Sequence, residues 1–256
     1  MSSYLGRHAE LYDLFYQDKA YEQEARFAAS LAREQGIAPP ARWLDVACGS
    51  GRHAFALEQL GFNVAGVDYS PSQLAQANQS KQQRHSHVTF AQQDMRQLNV
   101  PARPFDVVSC LFDSIGYVQT NEAVLEALRC MHAHLRPGGL LVMEFWHAAG
   151  MLKSYDPVRI RRWTLPDRQI VRISETTVDV ARQLCHVQYS VHELLTDGRC
   201  HRFTETQTNR FFLVQEMDLL LTTTGFKSVS WHAGYDRERT IDSGTFHVVV
   251  AATKLS

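Results

Sequence analysis

The chain has 256 residues, a formal net charge of −1 and 45% hydrophobic residues. That length holds one domain with a full core and room for an insertion. Near-neutral charge excludes a global field that would recruit nucleic acid or anionic lipid, and no apolar run approaches a membrane span. The start, Met1-Ser2-Ser3-Tyr4, lacks the basic-then-apolar pattern of an export signal. Cys48, Cys110, Cys130, Cys185 and Cys200 form no CxxC pair, so neither a metal site nor a disulfide framework is expected. Free thiols without an export signal point to the cytoplasm. Cys48 reads as a small turn residue rather than a nucleophile, because no histidine is fixed beside it locally.

Segments of helical and strand character alternate from residue 21 to residue 146. Tyr21–Gln35 reads as an amphipathic helix stopped by Gly36 and Pro39-Pro40. Trp43–Val46 reads as a strand, Arg52–Leu60 as a helix and Asn63–Val67 as a strand. Ser70-Pro71 supplies an N-cap and a first-turn proline for a helix to about Gln79. His87–Ala91 and Phe105–Cys110 are further strands. Asn121–Leu135 is a helix ending before Pro137-Gly138-Gly139, and Leu140–Phe145 is a nearly unbroken apolar strand. Val158–Phe212 changes character to β-branched alternation, with Thr196-Asp197-Gly198 as a hairpin signal, and predicts three or four antiparallel strands. Val214–Thr224 returns to helix with Gly225 as its stop, and Lys227–Trp231 and Thr245–Thr253 read as final strands. The pattern predicts an α/β fold, a doubly wound, mostly parallel sheet, over residues 1–152 and 213–256. A small antiparallel sheet inserted over 153–212 is expected to cover the acceptor pocket.

The richest stretch is Leu44-Asp45-Val46-Ala47-Cys48-Gly49-Ser50-Gly51, a strand that ends in a Gly-rich turn before a helix. Such a unit brings free backbone N–H groups to the carboxyl edge of a parallel sheet, where open α/β sheets bind ligands. Gly49-Ser50-Gly51-Arg52-His53-Ala54 formally satisfies the dinucleotide fingerprint. Three details oppose that reading. Asp45, inside the strand before the loop, would repel a pyrophosphate and attract a positive centre. Asp68 ends the second strand, placed to accept from a ribose diol. Gln93-Asp94-Met95 follows the third strand, where a polar group and a thioether could bracket an adenine. A ribose, an adenine and a cationic group without phosphates describe S-adenosylmethionine.

With these residues the chain resembles the class I S-adenosylmethionine-dependent methyltransferases, with their Rossmann-like fold. Asp45 to Gly51 resembles the family's first motif, with Ala47 in place of its first glycine. Asp68 matches the ribose-binding acid, and Asp94-Met95 the adenine-side pair. Within the family the likeness is to the dTDP-amino-sugar N,N-dimethyltransferases, carried by Tyr12 to Ala25, Leu44 to His53, Gln93-Asp94-Met95-Arg96, Val108 to Tyr117 and Leu135 to Trp146. The relatives' Pro-Trp-Trp-like run after Glu144 is Phe145-Trp146-His147 here. The resemblance implies a small-molecule acceptor and N-methylation of an amine or amino sugar. A sugar or natural-product O-methyltransferase is the alternative. A nicotinamide oxidoreductase and a non-catalytic cofactor-binding module stay open behind it.

Candidate cofactor residues are then Tyr12, Tyr21, Asp45, Ala47, Gly49, Gly51, His53, Asp68, Tyr69, Asp94, Met95 and Leu111. Tyr21 resembles a tyrosine that reaches the methionine carboxylate, Tyr12 and Tyr16 lie in a lid-like segment, and the carbonyls of Leu111-Phe112 could receive an ammonium. Each has a plainer reading: helix packing for the tyrosines, macrodipole stabilisation for Asp68, a surface turn for Asp94, strand-end packing for Leu111. His147, after the fifth strand, is the candidate general base, with Tyr16 as a second catalytic candidate. Arg159 and Arg161 share one face of a predicted strand and could grip a phosphate, or simply form a charged outer face. No metal is expected at the site, and a homodimer is admitted without a feature that decides it.

Overall fold

The computed structural model describes residues 10–101 and 103–255; the start read for an export signal lies outside them. A short helix α1 (Tyr12–Phe15) and helix α2 (Tyr21–Glu34) precede strand β1 (Arg42–Val46). Helix α3 (Arg52–Gln59), strand β2 (Asn63–Asp68), helix α4 (Pro71–Arg84), strand β3 (Thr89–Gln92) and strand β4 (Phe105–Cys110) follow. Helix α5 (Asn121–His134) leads into strand β5 (Leu135–Trp146) and helix α6 (Ala148–Lys153).

The main sheet has seven strands in the order β10-β11-β5-β4-β1-β2-β3, with β10 (Phe226–Ala233) and β11 (His247–Lys254) at one end. β5, β4, β1, β2 and β3 run parallel, and β11 runs antiparallel to both its neighbours. Adjacent residues along each central strand enter opposite cores. Trp43, Val107, Leu140, Val142 and Val249 pack with α2 and α3. Leu44, Val108, Leu141, Met143 and Val250 pack with α5 and with helix α7 (Val214–Thr223). Strands buried on both faces need unbroken apolar runs, which is why these segments do not alternate. Chain order reverses between β1 and β4, and that switch point opens the ligand crevice.

Two boundaries differ from the sequence reading by five residues, the others by at most two. α4 continues past Gln79 to Arg84: Ser70 Oγ accepts from Gln73 N–H (3.3 Å), Pro71 opens the first turn, and only His85, at φ 52°, ends it. β5 begins at Leu135 rather than Leu140. Leu135 pairs with Phe105 and Leu140 with Val107, so Pro137-Gly138-Gly139 makes a register shift inside the ladder instead of a break before it.

The inserted segment forms its own antiparallel sheet of four strands, β6 (Val158–Thr164), β7 (Arg168–Asp179), β8 (Leu184–Leu195) and β9 (Cys200–Arg210), in that order. Phe15 of α1 packs on it with Trp163, Ile170 and Val191. Its two stems meet at the edge of the main sheet: Phe212 N–H donates to Trp146 O (2.9 Å) and Ala148 N–H to Phe212 O (2.8 Å).

Candidate active site

The crevice beyond β1 and β2 holds a cavity lined by Tyr12, Ala47, Gly49, Asp68, Tyr69, Gln73, Asp94, Met95, Ser114 and Tyr117, among others. A narrower cleft continues past the loop, bounded by Asp45, His53, Leu111 and, again, Tyr12, Ala47 and Gly49. Ten of the twelve candidate cofactor residues, all but Tyr21 and Gly51, therefore line one continuous site.

Asp68 organises it. Its carboxylate accepts from Gly49 N–H (2.8 Å) and Ser70 N–H (2.7 Å), fixing the bend after β1 against the end of β2. Burial nevertheless raises its carboxyl above the ordinary range. Asp45 is buried, with Oδ1 accepting from Ser109 Oγ (2.8 Å), itself an acceptor for Trp43 Nε1–H (2.8 Å). Asp45 Oδ2 has no hydrogen-bond partner. Burial pushes this carboxyl up to about 6 despite His53 and Ser109, which favour its charge. Asp94 caps the short helical turn Met95–Gln97 and is gripped by Arg96, whose side-chain hydrogen bonds hold its carboxyl low.

The remaining candidates separate into wall and support. His53 is held by Glu24 (Nε2···Oε2, 2.7 Å), which also pairs with Lys19. Tyr21 stands behind His53, rings 4.9 Å apart, and lines neither cavity. Gly51 also lies off the lining; its φ is 83° and a Cβ would fall 2.7 Å from Phe90, so it is required for the turn. The Leu111 carbonyl is already an acceptor for Ser114 Oγ–H (2.8 Å). Ser50 Oγ–H donates to Asp13 (2.8 Å), which ties α1 over the bend. Cys48 is buried and its thiol is pushed up, first by burial and then by the nearby carboxylates, so it is no nucleophile.

Ala47 sits at φ 58°, where an alanine is strained and glycine is not. Ala47→Gly is expected to stabilise the protein by about 1 kcal/mol, relief of strain outweighing the extra freedom of the unfolded glycine. A chemical-denaturation midpoint at or below that of the original chain would refute the strain.

A second cavity opens between the sheet edge and the insertion. Tyr16, Phe112, Tyr117, Trp146, Arg159, Arg161, Arg172 and His247 contribute to it, and Phe112 and Tyr117 also line the first cavity. Tyr16 packs edge-on against Phe112, centroids 5.1 Å apart, at the junction. His147 is a correction. Its ring is buried, Nδ1 is 3.1 Å from Thr245 O, its own N–H donates to Phe246 O (2.7 Å), and it lines neither cavity. It braces the stem of the insertion; the histidine that lines the second cavity is His247.

Sequence reasoning missed Gln73, whose side-chain Oε1 and Nε2 are buried without partners at the wall of the first cavity. It missed Arg172 and the His247 cluster as well. Orphaned Asp45 Oδ2 and Gln73 atoms beside Asp68 fit an adenosyl sulfonium, which brings amine donors, hydroxyls and positive charge. A diphosphate would meet two carboxylates instead.

Residues 44–139 match the family model described as a methyltransferase domain. The chain is 37% identical to the dTDP-3-amino-3,4,6-trideoxy-alpha-D-glucopyranose N,N-dimethyltransferase of Streptomyces venezuelae, over 54% of this chain and 57% of that protein. It is 36% identical to the dTDP-3-amino-3,6-dideoxy-alpha-D-glucopyranose N,N-dimethyltransferase of Streptomyces fradiae, over 57% of this chain and 55% of that one. The chain thus spans little more than half the length of these two relatives. Among solved structures, the SAM-bound amino pentose methyltransferase of Micromonospora echinaspora superposes with a TM-score of 0.76 at 26% identity, covering 95% of this chain and 96% of that one.

Proposed function

We propose that this chain, whose residues 44–139 match a methyltransferase domain, is a class I S-adenosylmethionine-dependent enzyme that N-methylates the amine of a phosphate-bearing amino sugar. The observation that carries the acceptor class is a pair of arginines. Arg161 on β6 and Arg172 on β7 are direct cross-strand partners and both face the second cavity. Like charges placed opposite each other destabilise a strand pair unless an anion lies between them. Arg172 is only 6% exposed, packed among the rings of Phe15, Trp163 and Tyr189 at 4.6, 5.3 and 5.1 Å, and its Nε and Nη1 have no hydrogen-bond partner. A buried guanidinium with free donors is a ready phosphate grip. Arg159, two residues before Arg161, extends the same face, as period-two spacing predicted. The names of the two curated relatives, both acting on dTDP-amino sugars, agree with this reading.

In this reading the segment 153–212 covers the acceptor, and its arginines hold the phosphate end while the amine lies at the Phe112–Tyr117 junction. S-adenosylmethionine supplies a methyl group already activated by its sulfonium charge. The protein's part is placement: Asp68 and Gln73 hold the adenosine, Asp45 favours the positive end, and Tyr16 and Phe112 keep water from the line of attack. The nitrogen must arrive neutral to attack, and each transfer releases one proton. No helix among the described residues is long and apolar enough to cross a membrane, and the free thiols fit a reaction in the cytoplasm.

The test is incubation of the whole chain with S-adenosylmethionine and a dTDP-3-amino-3,6-dideoxy sugar, followed by mass spectrometry for added methyl groups. Arg172→Met is expected to raise the acceptor KM by about 10- to 100-fold, the worth of a charge-assisted contact, and to leave cofactor affinity unchanged. Equal KM values would remove the phosphate grip, and no transfer to any amino sugar would remove the acceptor class.

A further inference from the structure

Three side chains not used so far meet beside the second cavity, which two of them, Asp113 and His247, line. Asp113 follows β4, Glu144 lies in β5 and His247 opens β11, neighbouring strands of the main sheet. His247 Nδ1 lies 3.1 Å from Asp113 Oδ2 and 3.1 Å from Glu144 Oε1. Both carboxyl groups are buried. Glu144 is well served, since its Oε2 accepts from Phe112 N–H and from Tyr235 O–H, each at 2.6 Å. Asp113 is not: neither of its oxygens has a hydrogen-bond partner.

A single ring nitrogen carries a single proton, which cannot serve two carboxylates fully. Two other cations lie nearby: Lys19 pairs with Glu24 and lies over the Phe112 ring, 4.3 Å from its centroid, and Arg161 shares the second cavity with Asp113 and faces Arg172. Two buried carboxylates and one imidazolium leave one negative charge unmatched, and an unmatched buried charge is expensive. Burial would raise both acids; His247, Lys19 and Tyr235 hold Glu144 below the usual carboxylate range, whereas burial keeps Asp113 above it. The same two carboxylates overrule the effect of burial on His247 and keep its ring protonated. The deficit therefore falls on Asp113.

The position of that deficit is informative. Phe112 and Ser114, on either side of Asp113, line the cofactor cavity, while Asp113 itself lines the acceptor cavity. Phe112 and Asp113 both take left-handed backbone, φ 56° each, a strained conformation that persists where surrounding contacts enforce it.

Resting on the amine-acceptor reading above, we propose that Asp113 is the docking point of the acceptor's ammonium group. His247, whose side chain is 40% exposed, turns from Asp113 to Glu144 alone, and the ammonium takes its place. One N–H bond of the ammonium then breaks as an O–H bond forms on Asp113, and the nitrogen keeps the lone pair that attacks the methyl carbon. A hydroxyl acceptor brings no charge to replace the imidazolium, so the site selects amines.

The experiment measures binding to the whole chain saturated with S-adenosylhomocysteine. The probes are dTDP-3-amino-3,6-dideoxyglucose and its hydroxyl counterpart, dTDP-6-deoxyglucose. The amino sugar is expected to bind more tightly, and Asp113→Asn to erase that preference, about tenfold or more in Kd, with the hydroxyl sugar and S-adenosylhomocysteine unaffected. His247→Gln, which removes the competing cation, is expected to tighten the amino sugar, an effect of opposite sign that loss of structure would not produce. A second arm needs no sugar: methylammonium chloride, against sodium chloride at equal ionic strength, is expected to shift the His247 ring signals in 15N-histidine-labelled protein and not in Asp113→Asn. If neither sugar binds but methylammonium does, the sugar reading fails and the ammonium site stands. A preference kept by Asp113→Asn overturns the inference. So does saturable binding of zinc or manganese that Asp113→Asn abolishes, which would make the cluster a metal site.

Discussion

Asp45→Asn is expected to raise the thermal midpoint of the ligand-free protein while weakening S-adenosylmethionine binding. The carboxyl titrates at about 6 in the fold, because burial opposes its charge more than His53 and Ser109 support it. An unfolded aspartate titrates near 4. A carboxyl raised on folding destabilises the native state above its folded value, and the penalty fades as pH falls to the unfolded value. The ceiling on that penalty is about 3 kcal/mol, and a chain of this size moves by about 2–4 °C per kcal/mol. The asparagine variant should therefore melt above the original chain at pH 7.5, by at most about 6–12 °C, with the gap closing towards pH 4. The introduced amide would still accept from Ser109 through its oxygen. Calorimetric titration should show cofactor affinity lower by about 10- to 100-fold, since a buried charge-assisted contact is lost. A variant that melts no higher, or binds as well, would show that the Asp45 charge is matched within the protein and plays no part in holding the ligand.

Gly116→Ala should have the other large effect. Gly116 lies in the helical turn Ser114–Val118, pressed against the insertion. A Cβ there would fall 1.6 Å from Asn209 Oδ1 and 2.6 Å from the Arg210 carbonyl oxygen on β9. Such an overlap forces the two sheets apart, at a loss of about 1–3 kcal/mol. Because Tyr117, next in the chain, lines both cavities and Asn209 lines the second, acceptor KM should rise more than cofactor Kd. Gly116→Ala combined with Asn209→Ala should recover part of the stability and not all of it, because the Arg210 backbone oxygen remains in the way. Full tolerance of the single change would mean the contact is looser than drawn.

The parts of this protein legible in its sequence are those fixed by neighbours in the chain. The bend after β1 follows from Asp45, Gly49 and Gly51 within one short run, and Ser70-Pro71 declares the start of α4 by local capping alone. Unbroken apolar strands told of helices on both faces, and alternation told of the insertion. What stayed hidden depends on contacts between distant segments. His147 and His247 are equally plain in the sequence; only the antiparallel pairing of β11 with β5 brings His247 beside Glu144 and leaves His147 as a brace. Arg159 and Arg161 could be paired by period two, but Arg172 joins them only through the register of β6 on β7. Gln73 reads as one more polar residue of a glutamine-rich helix until Gly49 is folded against it. Pro137-Gly138-Gly139 misled because a breaker in isolation became a register shift once Phe105 offered Leu135 a partner.

The stapled stems of the insertion carry a consequence for how such proteins diversify. Trp146, Ala148 and Phe212 bind the departing and returning chain side by side, so the β6–β9 unit joins the main sheet at one pair of stems and is steadied by Phe15 and Gly116. The first cavity is lined entirely from outside that unit, whereas Arg159, Arg161 and Arg172 of the second cavity all lie within it. A foreign unit of different length grafted at the same two stems would leave the first cavity intact where it kept the contacts with Phe15 and Gly116. The architecture thus works as a fixed engine with an interchangeable cassette, and a change of substrate need not begin with a change of chemistry.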